Sequence, residues 1–254
     1  MNKSFIKKFL KRTLLIVLAI FICFVIYFYI AFFGNPVSKF LVKNSAQKYI
    51  NENYPKLNLE IRDIFYTWDG DYSISLHGKN SKDIYFRIYF DKYGRHKRGK
   101  KDIILSDILS NTYERFSDEL KNYGKNLEKD LKTPYEINLS TIANSNEVKS
   151  KLKIDQEVDF NNFPLSVDAG AYTFAENPNY EEALKILKNL QAVMDSTPLK
   201  VTKYNIILVP EKDSGACQTL ENALKIYDIP ADFLRTADEQ DLMEYRKKMD
   251  EYSK

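Results

Sequence analysis

Cysteine and histidine are nearly missing from this sequence, with two of each in 254 residues. Cys23 lies inside a long apolar run, which leaves Cys217 alone in the rest of the chain. No intrachain disulfide can brace the folded part, so its stability must come from ordinary burial. His77 and His96 have no metal-ligand spacing, which removes the zinc patterns. The nucleophile elbow G-x-S-x-G does not occur, and Cys217 has no histidine near it. Asp69 and Asp71 flank Gly70, but no glutamate follows at calcium-loop spacing. Glycine is scarce, and Gly94-x-x-x-x-Gly99-Lys100-Lys101 falls one residue short of a phosphate-binding loop. Lys101 stands where a serine or threonine would ligate magnesium, so the two glycines read as turn residues in a solvated loop. Asp168-Ala169-Gly170 likewise reads as a loop turn. No cofactor, metal or catalytic residue is expected. A two-carboxylate enzyme survives this screen only because such pairs assemble in space, not in sequence.

Acidic residues are absent from the first 34 positions, where Lys3, Lys7, Lys8, Lys11 and Arg12 precede the uncharged stretch from Thr13 to Phe33. As a helix its 21 residues reach about 31 Å, close to the ~30 Å hydrocarbon core of a bilayer. A cleaved signal peptide would have a shorter apolar region ending in small residues, and Ala31-Phe32-Phe33-Gly34 offers no such site. Lipoprotein processing at Cys23 would need a small residue where Ile22 stands. The stretch reads as an uncleaved signal anchor. Its cationic flank predicts residues 1–12 in the cytoplasm and the bulk of the chain outside the cell membrane.

The formal charge of +3 is carried by that tail. Five of the 38 Lys and Arg precede residue 13, leaving 33 against 35 acidic residues, so the exterior part gives no reason to expect a nucleic-acid partner. Aromatics are plentiful, with 18 Tyr and 16 Phe, which supports packed cores.

The remaining chain reads as two small α+β domains with antiparallel sheets, residues 35–135 and 136–254. In the first, Pro36 opens a helix to about Asn53, with Val37, Phe40, Leu41, Ala46, Tyr49 and Ile50 as its apolar stripe. Leu57, Leu59 and Ile61 alternate, then Ile64, Tyr66 and Trp68 alternate in the opposite phase. This predicts a bulge near Arg62-Asp63. Asp69-Gly70 marks a turn, and strands at 72–76 and 84–90 complete a three-stranded meander covered by the helix. Lys92, Arg95, Lys97, Arg98, Lys100 and Lys101 form a basic loop, a candidate contact for an anionic lipid or wall surface. Ser106 then caps a long helix to about Leu131, whose stripe can complete the first core or bridge to the next domain. In the second domain, strands are expected at 151–160 and 165–174, a helix from Asn179 and a strand at 201–209. Residues 218–234 lean towards a strand in their second half. A last helix is expected to be capped by Thr236 and Glu239.

These features in this order resemble the YfjL-like membrane-anchored proteins of Gram-positive bacteria. The residues that carry the likeness are the basic tail and span, Gly34-Asn35-Pro36-Val37-Ser38-Lys39-Phe40, Tyr54-Pro55, Ile88-Tyr89-Phe90-Asp91 and Ile226-Tyr227-Asp228-Ile229-Pro230. The first domain is also similar to the small helix-on-sheet modules of cystatin-like and PepSY kind. The resemblance implies a single-pass envelope protein and carries over no catalytic residue. The basic loop is longer and more charged than the family pattern. The leading expectation is a non-catalytic module that binds or inhibits a protein or peptide. The alternatives are a structural or accessory envelope protein that positions a membrane partner, and an envelope hydrolase.

Overall fold

The computed structural model describes residues 3–97, 101–213 and 220–252. It forms two compact units, residues 1–108 and 109–254.

The first unit begins with α1 (Lys3–Phe33), a helix long and apolar enough to cross a membrane. Its side chains from Arg12 to Phe33 are all exposed. Gly34, at φ +76°, breaks the helix, and Asn35 restarts it as the cap of α2 (Pro36–Asn53) by accepting from the Val37 N–H at 2.8 Å. Proline at the first helical position loses no bond there. The buried face of α2 is Val42, Ala46 and Ile50. Val37, Phe40 and Leu41, expected on the stripe, are exposed. Ala46 and Ile50 are buried as the stripe had them, but Val37, Phe40 and Leu41 lie on the opposite side of the helix, and Val42 takes their place.

Strands β1 (Leu59–Tyr66), β2 (Tyr72–Gly78) and β3 (Tyr85–Phe90) form the antiparallel meander. The register shifts between Ile61 and Asp63, so Arg62 is the extra residue of the expected bulge. Ile61 and Ile64 thereby both align with the buried row Ile74, Leu76, Phe86 and Ile88.

The second unit takes the helix α3 (Lys101–Leu131) from Leu109 onward. The compact units part at 108/109. Because α3 starts at Lys101, Ser106 lies within it and is not its cap. Phe116 packs with Val148, Leu152 and Leu165, while Leu120 joins the main core. The sheet runs β4 (Glu136–Ser140), β5 (Val167–Ala175), β6 (Val201–Pro210) and β7 (Leu224–Pro230). Its outer pairs are antiparallel, but β5 and β6 are parallel, joined through α5 (Tyr180–Asp195). The sheet is mixed, which corrects the wholly antiparallel expectation. Leu187, Leu190 and Met194 of α5 are buried against Ile206 and Leu208.

The expected strand at 151–160 is absent. Asn144 caps α4 (Ser145–Lys151) instead, and Phe160–Asn162 is a single 3-10 turn. Asp168 and Gly170 lie inside β5, not in a turn. Residues 224–230 are the expected strand, followed by α6 (Ala231–Thr236). The last helix, α7 (Glu239–Tyr252), is capped by Asp238 and Asp241, each accepting the other's backbone N–H at 2.9 and 3.0 Å. Thr236 instead bonds the Phe233 carbonyl within its own helix.

Burial raises the Asp168 carboxyl above its ordinary range against the opposing pull of the Thr202 hydroxyl and Lys203. A carboxyl raised by folding costs nothing while protonated and becomes a liability as pH climbs through its folded value. Asp168→Asn is therefore expected to raise the thermal midpoint at pH 7 and to leave it unchanged near pH 3, which scanning calorimetry at both pH values would read.

Candidate functional site

The alternation of strand directions sets the site. Chain order in the meander brings Tyr66, Tyr72 and Phe90 into one cross-strand row. The turn Thr67–Asp71 and the loop after Phe90 therefore leave the same end of the sheet. That end meets the α1–α2 junction. The Tyr72 hydroxyl donates to the Asn35 carbonyl at 3.2 Å, and a Cβ added at Gly34 would stand 2.6 Å from that hydroxyl. Only glycine permits both the backbone and the close approach.

The loop after β3 folds back onto α2. Gly94, at φ +78°, rests on Ser45 and the Leu41 carbonyl, and His96 stacks on Tyr49 with 4.1 Å between centroids. His96 also bridges to Phe90, and the Lys97 N–H donates to the Tyr89 carbonyl. The turn is closed by the Thr67 N–H donating to the Asp71 carbonyl, with Gly70 at φ +86°.

The basic residues expected to form an anionic-surface contact divide here. Lys97 is ion-paired with Asp71 across the two loops. Arg95 pairs with Asp91 at 2.7 Å. Burial alone would raise the Asp91 carboxyl, but the N–H groups of Tyr93 and Arg95 and the Arg95 guanidinium hold it below its ordinary range. Asp71 in turn raises the Lys97 ammonium. Lys92 lies over the Tyr93 ring with no carboxylate partner among the described residues, and Arg95 lies over the same ring. Arg98 and Lys100 are outside the described residues, as are the Lys101 side chain and Cys217. Much of the described charge is therefore spent on fixing the loop.

Sequence reasoning missed the apolar half of this rim. Trp68 projects from the turn at 92 % exposure and meets Phe32 edge-on, 6.0 Å between centroids. Its signal was its neighbours: a tryptophan one residue before Asp69-Gly70 belongs to a turn, where no core can cover it.

Elsewhere, the Ser75 hydroxyl and His77 Nε2 are 3.4 Å apart on the open sheet face. Burial, and then Arg62, lower the imidazole below its ordinary value, so it stays neutral near pH 7. A cleft of about 160 Å³ beside β7 is lined by Asp228, Tyr245, Arg246 and Asp250. Both carboxylates are matched by cations: Asp228 by Lys203 at 2.6 Å, and Asp250 by Arg246 at 3.6 Å. Among the described residues no group of three or more His, Cys, Asp or Glu could hold a metal ion.

Residues 6–98, from α1 through the β3 loop, match the family model described as YfjL-like, N-terminal domain. This part of the chain is similar to that domain. No curated protein and no solved structure matches the chain.

Proposed function

We propose that this YfjL-like N-terminal domain anchors a single-pass protein at the cell membrane, with both α+β units outside the cytoplasm, and that the protein acts by binding a protein or peptide, without catalysis. The anchor reading rests on α1: the apolar helix is exposed from Arg12 to Phe33, and nothing among the described residues covers that stretch. The cations before it and their absence of acidic partners in the tail favour an inner N-terminus.

One observation favours the binding mode. The described hydrogen bonds occupy two of the sheet edges: Lys97 bonds the Tyr89 carbonyl beside β3, and the Glu128 carboxylate accepts from the Ile137 N–H beside β4. Nothing among the described residues pairs with the outer edge of β1, an eight-residue terminal strand. Such an edge accepts an extended peptide through backbone bonds.

A photo-crosslinking residue placed at exposed Arg62 or Asp63, in the full chain in intact cells, is expected to capture a polypeptide. A cysteine at the same position is expected to react with a membrane-impermeant maleimide added outside. Capture that arises from α1 or α2 positions but never from β1 would favour an accessory protein that positions a membrane partner. Labelling only after lysis would overturn the orientation.

A further inference from the structure

The chain has a single tryptophan, and it is the residue that reaches back to the end of the apolar helix. We propose that Trp68 and the exposed start of α2 seat the first unit in the headgroup layer of the bilayer that α1 crosses, so that lipid, and not a protein, covers this face. The proposal rests on the reading of α1 as a span.

Continuity with the span is the first support. Phe32 belongs to the last turn of α1, so the Trp68 ring edge-on to it lies at the level where the apolar helix ends. Tryptophan and tyrosine favour that level because each offers an apolar body and one polar atom.

The exposed face of α2 is the second support. Val37, Phe40 and Leu41 are 67, 64 and 44 % exposed, on the opposite side from Val42, Ala46 and Ile50. At ~1.5 Å per residue none is more than about 10 Å along the chain from Gly34, little more than the depth of a headgroup layer. Charge is consistent with this: Lys39, Lys43 and Lys92 are exposed around the same end, and Tyr93 is 63 % exposed beneath Lys92 and Arg95. Asp69 sets the depth. Its carboxyl accepts from the Thr67 hydroxyl at 2.5 Å and stays ionised beside Trp68. A fixed anion next to the ring is tolerable in hydrated headgroups and costly in hydrocarbon. The turn therefore stops at the interface.

Because Trp68 is the sole tryptophan, its emission reports this face without labelling. The full chain in phosphatidylcholine vesicles, with and without phosphatidylglycerol, would be tested with lipids carrying nitroxides at shallow or deep positions and with acrylamide in the water. Quenching by the shallow label above the deep one is expected, with acrylamide quenching lowered at least about threefold relative to free tryptophan. Replacing Val37, Phe40 and Leu41 together by serine changes only exposed side chains and is expected to weaken the shallow quenching. Free acrylamide access with no lipid quenching, while α1 resists carbonate extraction, would overturn the proposal. Shielding from both acrylamide and lipid labels would overturn it too, in favour of a protein cover. A chain that carbonate extracts would overturn the span reading, and the proposal with it.

Discussion

A chain that starts at residue 109 will unfold cooperatively, whereas one that starts at residue 136 will not. The difference lies in α3. Phe116 and Leu120 are both fully buried, the first among Val148, Leu152 and Leu165, the second in the main core of the second unit. Three polar ties fasten the same helix. Tyr113 donates to the Thr141 carbonyl at 2.6 Å, Arg115 to the Gln156 carbonyl at 2.7 Å, and Glu128 accepts from the Ile137 N–H at 3.1 Å. Truncating a buried phenylalanine costs about 3–5 kcal/mol and a buried leucine about 2–5 kcal/mol. Their sum approaches the ~5–15 kcal/mol that holds a whole domain. Urea unfolding followed by circular dichroism would separate the two chains. Equal midpoints would mean that α3 is a dispensable addition to the second unit. Within the longer chain, Phe116→Ala alone should take about 3–5 kcal/mol from the unfolding free energy.

Two helix starts and the bulge were legible because each is written locally. Asn35-Pro36 and Asn179 announce their helices through the capping oxygen, and both caps form. The bulge at Arg62 is legible because strand side chains alternate with period two, so one extra residue inverts the phase. The strand expected at 151–160, which does not form, shows where such reasoning ends. Leu152, Ile154, Val158 and Phe160 alternate, yet Leu152 packs on Phe116 and Phe160 on Tyr123, in two separate clusters. Four apolar residues at even spacing satisfy a strand or a folded loop equally, and Asn144 with Glu147 decided for a helix before them. The parallel pairing of β5 and β6 was beyond reach for another reason: the direction of a strand relative to its neighbour is a property of the connection, here through α5, and not of either strand. The candidate site divides the same way. Arg95 and Asp91 stand four apart and could have been paired on paper, whereas Asp71 lies 26 residues from Lys97 and meets it only because the turn and the loop leave the same end of one sheet.

Replacing Gly34 with valine is expected to destabilise the first unit by about 3–5 kcal/mol. Two costs add. The backbone at φ +76° is open to glycine but not to a β-branched residue, and any L side chain there gives up about 1–2 kcal/mol. The new Cβ would also stand 2.6 Å from the Tyr72 hydroxyl and 2.9 Å from the Tyr66 ring. Tyr72 cannot swing aside, because it is 1 % exposed and its hydroxyl donates to the Asn35 carbonyl. Gly70 provides the control. It too has positive φ, +86°, but the nearest heavy atom to its added Cβ is 4.0 Å away, so Gly70→Ala should cost only the backbone part, about 1–2 kcal/mol. Trp68 lies within the first unit, so its fluorescence reports this unit alone during unfolding of the full chain in detergent. Tyr72→Phe removes the clashing oxygen. In a double-mutant cycle it should therefore recover part of the cost of Gly34→Ala and none of the cost of Gly70→Ala. Equal losses at both glycines, with no coupling to Tyr72, would mean that the junction between α1 and α2 is held by backbone conformation alone. A larger loss at Gly34 that Tyr72→Phe relieves would locate the hold in the contact between helix break and sheet, the same contact that fixes where the turn bearing Trp68 meets the end of α1.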